Sequence, residues 1–186
     1  MLKEKKILIG VSASIAIYKI CNLVRLLKKE KAIVKVIMTE KAKKLICPAI
    51  FETLTSYPVY TFEFETCQKV LHIDLAEWAD IFIIAPATAN TISKLAHGIG
   101  DNLLTLVFLA LPNQTPVIIA PAMNEKMLEN IFVRENIERL KKRKNLKILE
   151  SPTGILACGT KGKGKMVEPE FILEKIKEVF SHNEKN

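Results

Sequence analysis

Two groups of polar side chains stand directly after apolar runs, where they could bind an anion. Ser12-Ala13-Ser14 follows the run at residues 6–11 and opens a predicted helix. Hydroxyls and unsatisfied N–H groups at a helix N-terminus can bind a phosphate, although serines in this position often serve only as helix caps. The segment does not have the spacing G-x-G-x-x-G, so a dinucleotide-binding fingerprint is not indicated.

The second group consists of Thr88, Asn90 and Thr91, which follow the buried run at residues 80–86. These side chains could bind a phosphate or the edge of a ring, or Thr88 or Asn90 could cap the next helix. Another turn, Pro121-Ala122-Met123-Asn124, follows the run at residues 116–121. The carboxyl ends of parallel strands meet at one edge of a sheet, so these turns together predict a cofactor site there.

Three further positions have residue types suited to catalysis or to ligand contact. His72 could act as a general base with a pKa near neutrality, or it could be a packing or capping residue. Asp101-Asn102 precedes an apolar helix and is typical of an N-cap, with ligand contact as the alternative. Cys158 lies among lysines that could lower its thiol pKa, in the Gly- and Lys-rich stretch 154–166. That stretch predicts a long mobile loop, and Cys158 could equally be an ordinary free thiol in it.

Short, non-alternating apolar runs separated by helices must position these residues. Such runs are typical of a parallel sheet covered on both faces, so the fold class predicted is α/β, a doubly wound, three-layer α/β/α domain. Residues 1–180 are expected to form one domain and residues 181–186 a disordered polar tail. The strands are predicted at 6–11, 33–39, 80–86, 116–121 and 146–150, and the helices at 14–31, 40–54 with an interruption at Pro48, 89–97, 101–111, 124–144 and 168–180.

The composition excludes several classes of protein. The formal net charge is +8, but the lysine-rich stretches at 28–31, 41–44 and 141–144 are interpreted as solvated helix surfaces. Aromatic residues make up 6% of the chain, too few for an obvious base-stacking platform, so no nucleic-acid partner is expected. No apolar run could span a bilayer, and the N-terminus does not resemble a signal peptide. Neither the four cysteines nor the three histidines show metal-ligand spacing. A cytoplasmic protein without a metal site is expected.

Four segments together resemble the homo-oligomeric flavin-containing cysteine decarboxylases, and most closely the branch that acts on phosphopantothenoylcysteine in coenzyme A biosynthesis. They are SASIAIYK (12–19), the stretch from His72 to Thr105, APAMNEKM (120–127) and GILACGTKGKGKMVEP (154–169). The resemblance covers about residues 5–175 and implies a flavodoxin-like fold. It also implies FMN bound between the subunits of a homotrimer, which commonly assembles further to a dodecamer.

The resemblance assigns roles to particular residues of this sequence. His72 and Cys158 correspond to catalytic residues, Cys158 in a substrate-clamping loop, and Asn124 to the residue that binds the substrate carboxylate. Met127 belongs to the same motif as Asn124, and Leu156 and Ala157 accompany Cys158 as substrate-binding residues. The residues implied to bind FMN are Ser12, Ala13, Ser14, Thr39, Thr88, Ala89, Asn90, Thr91 and Ala122.

The sequence departs from the family pattern at two positions. Ala13 replaces the usual glycine before the phosphate-binding serine, and Leu128 replaces the usual tryptophan after Met127. The implied activity is decarboxylation of a small phosphorylated substrate, with a separate phosphopantothenate–cysteine ligase as a potential partner. Two alternatives belong to the same superfamily, a peptidyl-cysteine decarboxylase and a flavin prenyltransferase. A non-catalytic flavin-binding regulatory protein is the alternative from another class.

Overall fold

A six-stranded parallel sheet forms the centre of the computed structural model, which describes residues 1–61, 70–155, 159 and 161–183. The strands lie in the order β3-β2-β1-β4-β5-β6. Their bounds are β1 Lys6–Val11, β2 Ile33–Met38, β3 Val59–Tyr60, β4 Ile81–Ala87, β5 Val117–Pro121 and β6 Leu146–Ile148. The chain therefore proceeds from β1 to one edge of the sheet, returns to β4, and then proceeds to the other edge. The order reverses between β1 and β4, where ligands bind in doubly wound sheets.

Helices cover both faces of this sheet. Their bounds are α1 Tyr18–Lys29, α2 Glu40–Lys43, α3 Pro48–Thr55, α4 Leu71–Trp78, α5 Ala89–His97, α6 Leu103–Ala110, α7 Glu125–Leu128, α8 Ile131–Lys141 and α9 Pro169–Asn183. One core cluster packs the sheet against α1, α3 and α9, and the other packs it against α4, α5, α6 and α8. All seven residues of β4 are buried, as expected for a central parallel strand. The predicted three-layer α/β/α fold is confirmed.

Several predicted boundaries were wrong, each for a local reason. The predicted helix at 14–31 begins instead with a 3-10 turn at Ile15–Ile17, which Ser14 caps. The single helix expected at 124–144 is two helices, because the side chain of Asn130 accepts a hydrogen bond from Phe132 N and caps α8. The last helix continues to Asn183, three residues beyond its predicted end at residue 180.

The stretch 154–166 was predicted to be a loop, but most of its described residues form a small antiparallel sheet. Strand β7 (Thr153–Ile155) pairs with β8 (Lys161–Lys163). We call β7 and β8 together the hairpin. Glycine and lysine have low strand propensity, so the sequence alone favours a loop here. The described part of the chain contains no helix with both the length and the hydrophobicity needed to span a bilayer.

Candidate functional site

Four turns that follow strands β1, β2, β4 and β5 line one cavity of about 590 Å³. All the residues that were expected to bind the cofactor line it: Ser12, Ala13, Ser14, Thr39, Thr88, Ala89, Asn90, Thr91 and Ala122. We call this space the larger cavity. Its volume suits a cofactor-sized ligand. The expectation that these polar turns converge at one edge of the sheet is confirmed by the geometry.

Ser12 joins the turn after β1 to the turn after β4. Its hydroxyl donates a hydrogen bond to Pro86 O at 2.7 Å and accepts one from Thr88 N at 3.1 Å. The residue is 2% exposed, so its hydroxyl serves the backbone of the site more than a ligand. This bridge holds the two strand ends together where the strand order reverses.

Three of the residues expected to bind the cofactor are also helix caps. Capping and cofactor binding are therefore compatible roles for these side chains. Ser14 Oγ accepts from Ala16 N at 3.4 Å, and Thr39 Oγ1 accepts from Ala42 N at 3.3 Å. Thr88 Oγ1 accepts from Thr91 N at 3.3 Å and caps α5. Thr88, rather than Asn90, is therefore the cap. The first-turn N–H groups of α5 have no intrahelical acceptor, so this helix end can present donors to an anion.

Charged residues also line the larger cavity. Lys41 and Lys94 contribute ammonium groups, and Glu40 and Asp101 contribute carboxylates. Lys94 pairs with Asp101, and this hydrogen bond lowers the pKa of the Asp101 carboxyl, more than its slight burial raises it. Asn102 caps α6 through a capping box with Thr105 and also lines the cavity. Both interpretations of Asp101-Asn102, cap and cavity wall, are therefore compatible with the geometry.

A second cavity of about 470 Å³ adjoins the first and shares Ser14, Ala122 and Met123 with it. We call it the smaller cavity. Asn124 lines it and caps α7, with Oδ1 accepting from Lys126 N at 2.9 Å. Met127, which is 48% exposed, lines the larger cavity instead. Residues that could bind a substrate thus lie beside the cofactor turns.

His72 lies apart from these two spaces in the single chain. It stands in the first turn of α4, with Nδ1 shielded from solvent. Within the part of the chain that the structure describes, His72 lines neither cavity. Three other predicted site residues, Leu156, Ala157 and Cys158, lie outside the described residues.

Ala13 occupies the position where the family pattern has glycine, and its backbone does not require one. Among the described residues, Glu4, Lys31 and Ser56 are the non-glycine residues with positive φ. Alanine therefore fits this turn without backbone strain.

Sequence reasoning missed two residues that hold the hairpin beside the site. Glu125 Oε1 accepts from Lys163 N at 2.7 Å, and a Cβ on Gly162 would come within 2.4 Å of Glu125 Oε2. Lys19 is 6% exposed and donates to Met166 O at 3.0 Å. A lysine on the buried face of α1, beside Ile20 and Leu23, was the signal in the sequence, because lysine is rarely buried without a partner.

Comparison with known proteins identifies the family of this chain. A family model described as Flavoprotein matches residues 1–181. The chain belongs to the flavoprotein family. The flavoprotein is 44% identical over 176 residues to a probable phosphopantothenoylcysteine decarboxylase from Streptococcus mutans, covering 94% of this chain and 98% of that protein. The resemblance predicted from the sequence motifs is thereby confirmed.

Longer relatives and solved structures extend the comparison. The flavoprotein is 44% identical over 183 residues to the coenzyme A biosynthesis bifunctional protein CoaBC of Bacillus subtilis, covering 97% of this chain but only 44% of that protein. A structure of a PPC decarboxylase mutant complexed with pantothenoylaminoethenethiol has a TM-score of 0.85 at 29% identity, covering 96% of this chain and 100% of that one. The FMN binding protein AtHal3 has a TM-score of 0.83 at 29% identity, covering 97% and 98% of the two chains.

Proposed function

We propose that the flavoprotein binds FMN and decarboxylates 4'-phosphopantothenoylcysteine to 4'-phosphopantetheine, a step of coenzyme A biosynthesis. One observation carries the proposal: the turns after β1, β2, β4 and β5 line a cofactor-sized cavity that adjoins a second cavity lined by Asn124. The relatives named for this reaction cover nearly the whole chain. The 44% identity to a relative named for this reaction favours it over the alternatives, a peptidyl-cysteine decarboxylase or a flavin-binding regulatory protein.

The residues of the larger cavity have the donor set that FMN requires. The N-terminus of α5 and the hydroxyls of Ser14 and Thr88 suit its phosphate, while the charges of Lys41 and Lys94 are balanced by Glu40 and Asp101 in the same lining. Ala122 and Met123, which separate the two cavities, would contact the ring. Bound FMN would supply a two-electron oxidant for the thiol-bearing carbon of the substrate. Oxidation of that carbon would create the electron sink that loss of carbon dioxide needs.

The protein's own side chains bind the substrate and move protons. Asn124 is proposed to hold the carboxylate, since an amide nitrogen donates to carboxylate oxygens. His72 is proposed to remove and return a proton, and Cys158 to deliver the proton in the final reduction, with Leu156 and Ala157 contacting substrate beside it. Met127 is proposed to contact the substrate from the edge of the larger cavity.

A homotrimer is proposed as the active assembly, with further association to a dodecamer. Ile15, Tyr18, Met127 and Ile155 line the two cavities and are 65%, 64%, 48% and 75% exposed. Apolar side chains clustered around a site commonly mark an interface between subunits. His72 lies outside both cavities of its own chain as the structure describes them, and we propose that it serves the cavity of a neighbouring copy.

Two further elements of the proposal concern the setting of the enzyme. The described cysteines, Cys21 and Cys47, are free thiols, as expected in the reducing cytoplasm. Relatives in which this region forms part of a bifunctional protein support a phosphopantothenate–cysteine ligase as a functional partner, whether separate or linked.

Turnover tests the reaction directly. Purified protein saturated with FMN is incubated with phosphopantothenoylcysteine, and carbon dioxide and phosphopantetheine are measured. Asn124→Ala is expected to abolish turnover while the flavin spectrum persists. A wild-type protein that binds FMN but forms neither product would refute the proposed reaction.

Mixing two inactive variants tests the shared site. His72→Asn and Asn124→Ala chains are each expected to be inactive, and co-assembled they should regain activity. If each site takes the two residues from different subunits of a trimer, random mixing of equal amounts restores about a quarter of wild-type activity. Mixed oligomers without activity would show that both residues must belong to one chain.

A further inference from the structure

The smaller cavity carries positive charge on a wall that is otherwise mostly apolar. Lys19 and Lys165 both line it, and no carboxylate does among the residues that the structure describes there. Both ammonium groups pair with the same oxygen of Glu168, at 2.9 Å and 3.1 Å. Two cations against one carboxylate leave a net positive charge beside the substrate space.

Lys19 and Lys165 differ in whether their ammonium groups have N–H donors available for a ligand. The Lys19 side chain is 7% exposed and its ammonium also donates to Met166 O at 3.0 Å, so this lysine is committed to the fold. The Lys165 side chain is 40% exposed. An ammonium has three N–H donors, and within the described residues the structure records Glu168 as the partner of Lys165. Lys165 therefore has donors for an incoming anion.

The chain fixes Lys165 in the wall of the smaller cavity. The preceding residue, Gly164, accepts a hydrogen bond from Met123 N at 3.0 Å, and its φ of +115° suits glycine alone. The stem of Lys165 passes Gly154, where an added Cβ would lie 3.1 Å from Lys165 Cδ. Glycine at both positions lets the side chain approach the cavity from the hairpin.

Glu168 keeps Lys165 in place and remains charged itself. The hydrogen bond from Lys19, and then that from Lys165, lower the pKa of the Glu168 carboxyl, although burial opposes them. The carboxylate therefore stays ionised at neutral pH. Because Lys19 already neutralises part of the charge of the Glu168 carboxylate, the ion pair between Glu168 and Lys165 is weaker than an isolated pair.

We infer that Lys165 is a specificity-determining residue that binds the phosphate of the substrate and so selects phosphorylated over unphosphorylated cysteine conjugates. The inference rests on the proposed function, because it concerns the substrate of that same site. A phosphate is a strong acceptor of charge-assisted hydrogen bonds. The carboxylate at the other end of the substrate is common to all cysteine conjugates, so only a second anion site can distinguish the phosphorylated one.

The test compares two substrates that differ in the phosphate alone, phosphopantothenoylcysteine and pantothenoylcysteine. The wild-type protein should prefer the first. Lys165→Ala should lower kcat/KM for the phosphorylated substrate by about 10- to 100-fold, mainly by raising KM. The same variant should change kcat/KM for pantothenoylcysteine by less than about threefold. Lys165→Arg should restore most of the preference. Lys161→Ala is the matched control, because Lys161 is exposed on β8 and lines neither cavity as described.

The outcomes separate the inference from the function on which it rests. If the wild-type protein turns over the substrates but Lys165→Ala slows both equally or neither, the inference is wrong and the function stands. If the wild-type protein with bound FMN turns over neither substrate, both are wrong. The wild-type preference itself should fall as salt rises from 0.05 to about 0.5 M, because salt screens partly exposed charges. A salt-independent preference would contradict the inference even if the variants did not fold.

Discussion

Replacing Ser12 by alanine tests how much the hydrogen-bonded bridge between the turns after β1 and β4 contributes to stability. The substitution removes the acceptor of Thr88 N and one of two donors to Pro86 O, which also accepts from Ser12 N at 3.3 Å. The part-buried Thr88 N–H then loses its acceptor, at a site where Ser12 itself is 2% exposed. A buried donor left without a partner costs about 1–3 kcal/mol. We therefore expect Ser12→Ala to lose about 2 kcal/mol of unfolding free energy, or about 4–8 °C in Tm.

Ser14→Ala is the matched control, because the two serines stand two residues apart and differ in their partners. Ser14 is half-buried and accepts one long hydrogen bond, 3.4 Å from Ala16 N. Its loss should cost about 0.5–1 kcal/mol, the lower end of the range for a cap. Because Ser14 faces the larger cavity, the same substitution should weaken FMN binding by about tenfold, the effect of one charge-assisted hydrogen bond.

The assay is urea unfolding of the FMN-free proteins, monitored by circular dichroism, with FMN affinity measured separately by quenching of flavin fluorescence. Removing FMN is necessary because a bound cofactor stabilises the folded state by mass action. Ser12→Ala should show the larger loss of stability and Ser14→Ala the larger loss of FMN affinity relative to its stability. If Ser14→Ala were the more destabilising of the two, the assignment of Ser12 as the bridge between the strand ends would be wrong.

Three more predictions concern the hairpin and its anchors. Gly164→Ala should destabilise the protein by about 2 kcal/mol or more and slow turnover, because φ there is +115° and a Cβ would lie 2.1 Å from Met123 O; thermal unfolding and steady-state kinetics measure the two effects. Lys19→Met should cost about 1–3 kcal/mol, because it removes the donor to the buried Met166 O; equal urea midpoints for variant and wild type would contradict this. The pKa of Glu168 is lowered in the fold by Lys19 first and then by Lys165, so its stabilising contribution is complete above its ordinary pKa of 4.5 and is lost as the pH falls through the lowered value. The difference in unfolding free energy between wild type and Lys19→Met should therefore narrow below about pH 4 in a pH series.

Much of the fold could be predicted because its signals are local. Each buried strand is a short apolar run, and β4 and β5 are closed by turns whose residues favour a helix start. The convergence of polar turns followed from the rule that parallel strands end at one edge. This rule needs only the order of strands and helices along the chain.

The parts that could not be predicted depend on contacts between distant residues. The bridge made by Ser12 joins positions 74 residues apart, and no local pattern distinguishes it from a cap. The hairpin depends on Glu125, which lies 38 residues before Lys163, and on glycines whose lack of a side chain permits close contact. The position of His72 outside both cavities follows from the path of α4 as a whole, which a histidine at this place in the sequence does not reveal.

The reversal of strand order has a consequence for how the molecule opens. Residues before β4 build one half of the sheet and residues from β4 onward build the other, while α9 packs on α1 and α4 packs on α6. A ligand bound to turns from both halves therefore links the two halves of the sheet and stabilises their contact. Amide hydrogens of β1 and β4 should then exchange with solvent more slowly when the ligand is bound. The exchange rate of amide hydrogens in the outer strand β3 should change little.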